Sequence, residues 1–357
     1  MAVTSYGVNA NEAVKLWSRQ LFTEIETETV MASLMGTDTD SVIQVIEDTQ
    51  KGAGDRVTMQ LRVLLSGAGV SGNSALEGNE ERLTTYTQNI LIDHQRHGVR
   101  TGGQIDEQRI PWNMREQAME GLRDWWADRM DQGLLNQAAG NTGQSDLKYT
   151  AMNATVAPTS ATGNTRILYG GGTQVGENSL SSSSETFSLT YIDRAINQAK
   201  IATPVIRMPQ TPWGKGYVMI LHPNVMRTLA TNSAANTINL WAINLAQVQG
   251  GQTGKFEKRA NFPNVFRYRD AFIVEDDRIP LAPNTTTVYR NLFLGAQSLA
   301  VAFGRRYGNR RMSWKEKLFD YDEQLGVKAG MIWGAVKTTF NSRDLGTIVV
   351  SAHAPLP

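Results

Sequence analysis

Three glycines form the most suggestive chemical pattern in the sequence. Gly67, Gly69 and Gly72 spell G-x-G-x-x-G directly after an extended run, and Asp93 follows about twenty residues later, as in a dinucleotide-binding fingerprint. That chemistry needs a helix immediately after the glycines, because the N-terminus of the helix holds the pyrophosphate. Residues 73–82 contain only two apolar side chains and another glycine, so they do not predict this helix. The pattern favours a flexible hairpin tip, and an enzyme using this loop remains an alternative.

The four histidines do not form a metal-binding pattern. His94 and His97 stand three residues apart in an extended run, so their side chains point to opposite faces of a strand. His222 and His353 have no partner nearby in the sequence. The sequence therefore predicts no metal site.

The other residues with chemical potential also lack a catalytic arrangement. Glu275, Asp276 and Asp277 could bind a cation, but their position between a predicted strand and Pro280 favours a polar turn. Lys215 lacks the spacing of a phosphate-binding loop, and no G-x-S-x-G elbow occurs. The chain has no cysteine, which excludes disulfides and thiol catalysis. We expect a protein that is not an enzyme and binds no cofactor.

One basic cluster interrupts the otherwise balanced charge. Arg305, Arg306, Arg310 and Arg311 surround Tyr307, and arginines next to an aromatic ring can contact phosphates and stack on bases. The same residues could form a solvated turn or pair with acids of a neighbouring subunit. All of these interpretations stay open from the sequence.

Composition excludes several classes of protein. The 357 residues are 41% hydrophobic and 19% charged, which is enough apolar content for a core. Thirty-five basic residues nearly balance 34 acidic ones, whereas a dedicated nucleic-acid binder usually has a large basic excess. The first residues show no signal-peptide pattern, and no apolar run is long enough to span a membrane. We expect a protein that stays in the cytoplasm where it is made, unless it leaves in a particle.

Two segments near the N-terminus suggest contacts beyond the chain itself. Residues 9–35 have a helical apolar pattern that includes Trp17, Leu21 and Ile25, which fits either a core helix or an arm lying on a neighbouring subunit. Two extended runs, 56–64 and 85–99, then flank a polar stretch from Ser66 to Arg82 and predict a long β-hairpin. An isolated ribbon of this kind is marginal in water, so it must rest on something else, such as the next copy.

Residues 111–139 give the clearest helix. Asn113 followed by Glu116 resembles a capping box after Pro111, and Gly140 ends the pattern. At about 1.5 Å per residue, about twenty-five helical residues span roughly 37 Å, enough to cross a subunit. Its apolar side chains form one wide face: Met114, Ala118, Met119, Leu122, Trp125, Trp126, Met130 and Leu134.

Helices and strands alternate through the rest of the chain. Residues 140–185 are low in hydrophobicity and predict a loop or a small exposed hairpin. We then expect helices at 190–202, 223–230 and 238–250, and strands at 217–221, 265–275, 285–294, 327–337 and 347–352. Such mixing after an isolated hairpin indicates an α+β fold.

Taken in order, these segments resemble the major capsid proteins of tailed bacteriophages, in the family that includes the capsid protein of the N-four-like podoviruses. The resemblance runs over most of the chain and rests on the order and spacing of several short strings. They are AVKLWS at 13–18, GDRVT at 54–58, LEGNEE at 76–81, the helix segment 125–131, and the closing segments 334–340 and 344–350.

The resemblance implies the Hong Kong 97 capsid fold, an α+β fold with an N-terminal arm, an extended β-hairpin loop, a long spine helix, and peripheral and axial domains. We expect the arm at 1–50, the extended loop at 51–102, and the spine helix with the peripheral domain and the insert at 103–190. The axial domain with peripheral strands is expected at 191–325, and the C-terminal peripheral and axial strands at 326–357.

The function implied is that of a major capsid protein, which self-assembles into pentamers and hexamers of an icosahedral head around double-stranded DNA. The implied partners are further copies, weakly held packaged DNA, and separate scaffolding, portal and possible decoration proteins. Assembly would occur in the host bacterial cytoplasm, with the protein ending in the virion. An encapsulin-like compartment shell is the main alternative. Candidate contact residues between subunits are Trp17, Leu21, Ile25, Gly67, Gly69, Gly72, Leu76, Glu77, Glu80, Glu81, Arg82, Trp125 and Trp126.

Overall fold

The computed structural model of the protein describes residues 21–25, 29–46, 55–62, 65–103, 108–111, 113–160, 165–171, 176–181, 185–231, 265–304, 311–321 and 323–354. Within these ranges the α-helices are α1 (Met114–Ala139), α2 (Leu189–Ile201) and α3 (Pro223–Thr231), and residues 21–25 and 108–109 are also helical. Short 3-10 helices lie at Val30–Leu34, Leu147–Tyr149 and Glu177–Ser179.

Eighteen strands are present in the described residues. In chain order they are β1 (Met35–Gly36), β2 (Ile43–Ile46), β3 (Arg56–Arg62), β4 (Thr85–Leu91), β5 (Asp93–Arg100), β6 (Ile167–Tyr169), β7 (Gln210–Thr211), β8 (Gly214–Lys215), β9 (Tyr217–Leu221), β10 (Val265–Tyr268), β11 (Ala271–Glu275), β12 (Val288–Leu294), β13 (Leu299–Gly304), β14 (Met312–Phe319), β15 (Gln324–Lys337), β16 (Thr339–Phe340), β17 (Arg343–Asp344) and β18 (Thr347–His353). The predicted α+β class is confirmed.

The long helix α1 begins and ends where its local sequence directs. The side chain of Asn113 accepts a hydrogen bond from the backbone N–H of Arg115 at 3.0 Å, which satisfies one free amide of the first turn. Gly140 ends the helix in the left-handed conformation with φ 60°. The predicted ends are therefore confirmed, although Asn113 caps the second helical amide instead of the third one that a capping box uses.

The first large sheet carries α1 across one face. Its order is β1-β2-β13-β15-β14, and β5 pairs with the other edge of β15. The 14-residue strand β15 is the centre, because β13 and β14 follow each other along one of its edges. Gly133 of α1 allows the helix to lie directly on this sheet, since a Cβ there would stand 3.2 Å from the ring of Trp333.

The second large sheet has the order β10-β11-β9-β12-β18-β6. Strands β9 and β12 are buried at every position, as expected for central strands covered on both faces. Helix α2 packs against β18. Buried side chains of both sheets and of α1 belong to one continuous apolar core.

The hairpin β3–β4 is a two-stranded ladder of its own, and its base packs on the first sheet, where Met59 and Ile90 share a buried apolar cluster with Ala300, Ala302 and Val336. It pairs antiparallel from Arg56 opposite Leu91 to Arg62 opposite Thr85. The prediction of a single strand over 85–99 is wrong, because β4 ends at Leu91 and β5 pairs with β15. Asn153 fixes this change of partner, as its side chain accepts from the N–H of Leu91 and donates to its carbonyl, both at 2.9 Å.

The segment 140–185 is not the exposed loop that its composition predicted. Ala151, Ile167, Leu168 and Leu180 are buried, and β6 adds an edge strand beside β18. Helix α2 begins after Ser188, not at Thr190 as predicted. The predicted helix at 238–250 lies outside the described residues.

Candidate assembly surfaces

The tip of the hairpin, residues 65–84, contains no helix and no strand. Gly69 and Gly72 adopt φ values of +70° and +67° and have open space around them, so they serve turns. The helix that a dinucleotide site requires after Gly72 is absent from this described stretch, and Gly67, Gly69 and Gly72 do not form a phosphate cradle.

Carboxylate hydrogen bonds order the tip. The Glu81 carboxylate accepts the backbone N–H groups of Ser66 at 2.8 Å and Gly67 at 2.6 Å, and these bonds lower the pKa of Glu81. The N–H of Asn79 donates to the carbonyl of Leu76 at 2.9 Å, with Gly78 at φ +85° inside that turn. The tip is therefore shaped by its own sequence.

The tip also exposes apolar surface. Leu65, Leu76 and Leu83 are 64%, 60% and 54% exposed. Single exposed leucines are common, but three on one narrow ribbon indicate a surface that another molecule covers. Of the residues predicted for contacts between subunits, Leu76, Glu77, Glu80, Glu81 and Arg82 lie at this tip and are exposed.

Three other predicted contact residues lie in the interior of the chain. Leu21, Ile25 and Trp126 are fully buried in its own core. This corrects the expectation that they face a neighbour, because an apolar helical stripe does not reveal which surface covers it. Trp125 is half-buried, and its ring stacks on His97 with centroids 4.5 Å apart. Trp17 lies outside the described residues.

A buried acidic site joins α1 to the segment before the first sheet. Asp131 is fully buried and accepts the backbone N–H groups of Val30 and Met31, both at 2.9 Å. Arg278 donates to the same carboxylate at 3.1 Å. Burial raises the pKa of Asp131 to about 7 despite these bonds.

The acidic run at 275–277 is more than the polar turn that the sequence predicted. Asp276 is 5% exposed, and its carboxylate accepts the backbone N–H of Arg278 at 2.9 Å. The carboxylate lies beside the Asp131 site, and burial raises the pKa of Asp276. No group of three potential metal ligands occurs in the described part of the chain. We interpret these acids as structural.

The predicted basic cluster is described only at one position. Arg311 lies over the rings of Phe22 and Phe303, with 5.3 Å and 4.8 Å to their centroids. Arg305, Arg306 and Arg310 lie outside the described residues. Arg311 thus covers the end of the apolar core.

A second basic surface was missed by the sequence analysis. The sheet face opposite α1 carries five cationic side chains: Arg96, Arg100, Lys315, Lys317 and Lys328. Four of them, Arg100, Lys315, Lys317 and Lys328, line a groove of about 550 Å³. The alternation of Lys315 and Lys317 was the available signal, but β14 was not predicted as a strand.

The chain combines a long hairpin with an exposed tip, an N-terminal segment added to the main sheet and a long helix across that sheet. This combination defines the class as shell-forming proteins of the Hong Kong 97 type. The sequence matches the model of the phage capsid protein family over residues 5–356, so the chain belongs to that family. The expected family and fold are confirmed.

Relatives agree over their full lengths. The chain is 28% identical over 388 residues to the major capsid protein of Pseudomonas phage KPP25, with 98% of each chain covered. Its fold is similar to the capsid of Ralstonia phage GP4, with a TM-score of 0.76, 27% identity, and 100% and 99% coverage of the two chains. The cyanophage Pam1 capsid gives a TM-score of 0.68 at 17% identity, with 99% and 94% coverage. Among the described residues, no helix is long and apolar enough to cross a membrane.

Proposed function

We propose that this chain is the major capsid protein of a tailed phage, and that its copies form the pentamers and hexamers of an icosahedral head around double-stranded DNA. The observation that carries the proposal is the match of the whole chain, in sequence and in fold, to phage capsid proteins. The protein acts as a structural subunit, without catalysis or a cofactor. Assembly takes place in the host cytoplasm, with separate scaffolding, portal and decoration proteins as partners.

The parts of the chain would divide this work as follows. The exposed tip of the extended loop 51–102 reaches neighbouring subunits, whereas the described part of the arm 1–50 joins the core and the first sheet of its own chain. Helix α1 and the first sheet form the peripheral domain. The second sheet with α2 and α3 forms the axial domain. Burial of apolar surface between subunits contributes roughly 25 cal/mol per Å² to the free energy of association. Each single contact can be weak, because many contacts in a closed symmetric shell act together.

Electron microscopy of purified protein tests the proposal. The full chain is expressed alone and together with the neighbouring genes of its genome, then separated by sedimentation and imaged by negative stain. Closed shells, or rings of five and six subunits, support the proposal. DNA inside the shells indicates a phage head, whereas protein cargo without DNA indicates a compartment shell. A uniformly small species under both conditions would contradict it.

A further inference from the structure

The face by which the hairpin β3–β4 rests on the first sheet is apolar at every position but one. Because side chains alternate along a strand, this face is formed by Val57, Met59, Leu61, Tyr86, Gln88 and Ile90. Five of these six residues belong to the apolar cluster that the hairpin shares with the first sheet, and Gln88 is the exception. Apolar burial is not directional, so the cluster holds the hairpin on the sheet without selecting one orientation.

The carboxamide of Gln88 supplies a directional contact with the first sheet. Its Nε2 donates to the carbonyl of Lys337 at 2.8 Å, and its Oε1 accepts the backbone N–H of Thr339, also at 2.8 Å. These two backbone groups flank the bend between β15 and β16. Within the described residues, β3 and β4 form a backbone ladder only with each other. The Gln88 side chain therefore takes the place that a peptide group of a paired strand would have.

A second carboxamide holds the base of the hairpin. Asn153, which exchanges two hydrogen bonds with the backbone of Leu91, is only 9% exposed, and its own carbonyl accepts from the side chain of Gln137 at 2.7 Å. The strand can cross the first sheet here because position 334 is a glycine, and a Cβ on Gly334 would collide with the carbonyl oxygen of Leu91. Leu91 is thus a fixed point, whereas the half-buried Gln88 holds the hairpin further out along β4.

A small change of angle at the base moves the far end of the hairpin by a large distance. Strand β4 runs from Leu91 back to Thr85, about 20 Å at 3.3 Å per residue, and the tip lies beyond it. A rotation of about 10° around Leu91 displaces the far end of β4 by about 3 Å. A closed symmetric shell repeats one subunit geometry, so it needs one hairpin angle. A single polar contact in an apolar face is a known way to select one arrangement among several.

We propose that Gln88 is a positioning residue for assembly, which selects one orientation of the hairpin on its own subunit with Leu91 as the pivot. The apolar cluster holds the hairpin on the sheet, and the two backbone contacts of Gln88 fix its angle. The consequence for assembly rests on the proposed function, because a subunit with a variable hairpin angle joins a closed shell less often. The angle itself is a property of the single chain and needs no neighbour.

Distances within the unassembled full-length subunit test the angle directly. Because the chain has no cysteine, Thr85→Cys at the far end of β4 and Gln117→Cys on α1, both at exposed positions, carry two spin labels at defined places. Pulsed electron spin resonance then gives the distribution of distances between the hairpin and α1. The test variant is Gln88→Met, which keeps the length of the side chain and removes both contacts. The matched control, Gln60→Met, makes the same substitution at an exposed position of β3.

We expect one narrow distance distribution for the labelled parent chain and for Gln60→Met. The distribution for Gln88→Met should be at least about twofold broader, because hydrogen bonds to the backbone no longer favour one orientation. Gln88→Glu keeps the acceptor for Thr339 and loses the donor, so its distribution should be intermediate in width. Distributions of both Gln88 variants as narrow as that of Gln60→Met overturn the inference, since the apolar cluster alone would then fix the angle.

The consequence for assembly is measured by sedimentation and microscopy of the unlabelled full chain under the conditions in which the wild type forms shells. Gln88→Met should give at least about threefold fewer closed shells of the wild-type diameter, while Gln60→Met gives a normal yield. Normal shells from Gln88→Met, despite a broadened distance distribution, overturn its role in assembly. A wild type that never assembles contradicts the proposed function itself, and the distance measurement, which needs no shells, still decides whether Gln88 fixes the angle.

Discussion

The carboxylate of Asp131, in the middle of α1, accepts the backbone N–H of Met31 at 2.9 Å across 100 residues of sequence. Val30 donates to the same carboxylate, so both amides of the first turn of the 3-10 helix Val30–Leu34 are satisfied. Thr29, at the N-cap position, makes no side-chain cap, and Asp131 takes over that role from another element. The N-terminal segment is thereby tied to the long helix.

This contact predicts a specific pH dependence of stability. The pKa of Asp131 rises from 3.8 to about 7 on folding, mainly because of burial. The folded protein therefore binds the proton more tightly, and the contribution of Asp131 is present below about pH 4 and is lost as the pH rises towards 7. Relative to Asp131→Asn, the free energy of unfolding of the wild type should fall by at most about 4 kcal/mol across this range.

Urea unfolding of the unassembled subunit at several pH values measures this difference. The charged neighbours Arg278 and Asp276 are present in both proteins, so the comparison isolates the contribution of Asp131. Asp124→Asn, at an exposed position of the same helix, serves as the control. A flat difference for Asp131→Asn would show that its titration is not linked to folding.

Two glycines of α1 should respond in opposite directions to the same substitution. Gly121 is exposed and has open space around it, so Gly121→Ala should stabilise the protein by about 0.5–1 kcal/mol through helix propensity. A Cβ at Gly133 would lie 3.1 Å from the backbone N of Ala151 and 3.2 Å from Trp333. Gly133→Ala should therefore destabilise by about 1–3 kcal/mol. Thermal unfolding of both variants checks the signs, and a stabilising Gly133→Ala would mean that the contact relaxes freely.

Arg290 links the end of α1 to the second sheet. Its guanidinium donates to the carbonyls of Ala139 and Gly140 at 3.1 Å and 2.6 Å, and to both carboxylate oxygens of Glu177 at 2.7 Å. Since the pair is almost fully buried, Arg290→Met leaves Glu177 without its counter-charge and should cost about 3–5 kcal/mol. Arg290→Lys keeps the charge but loses the two-pronged geometry, so its loss should be smaller.

The exposed ion pair between Lys200 and Asp270 provides the comparison for Arg290. Its atoms are closer, at 2.6 Å, but the two side chains are 46% and 39% exposed. Lys200→Met should cost less than about 1 kcal/mol in the same urea measurement. Equal losses for Lys200→Met and Arg290→Met would contradict the role of burial.

The sequence predicted those features that depend on nearby residues. The ends of α1 follow from Asn113 and Gly140, and the buried strand β9 follows from five consecutive apolar residues. The β4–β5 boundary could not be predicted, because it depends on Asn153, some sixty residues away. The cationic groove likewise exists only after three separate strands pair in register.

A local sequence pattern also does not show whether an apolar face packs within its own chain or against a neighbouring subunit. The helical stripe with Leu21 and Ile25 fitted equally well with an arm on a neighbour and with a helix in the core. Only the three-dimensional fold shows that the apolar core of the same chain covers these side chains. By contrast, the polar composition of residues 66–82 was sufficient to predict an exposed tip.

The order of that tip depends on Glu81. Glu81→Ala removes the acceptor for the N–H groups of Ser66 and Gly67, so the two sides of the tip should separate. We expect trypsin to cleave after Arg82 several-fold faster in the unassembled subunit, with the urea midpoint unchanged because Glu81 is exposed. Glu77→Ala is the control, since Glu77 makes no hydrogen bond within the described residues. Because the pKa of Glu81 is lowered, the same loosening should appear in the wild type as the pH falls below about 4.5. Cleavage rates that are equal for Glu81→Ala and Glu77→Ala would show that the carboxylate does not hold the tip.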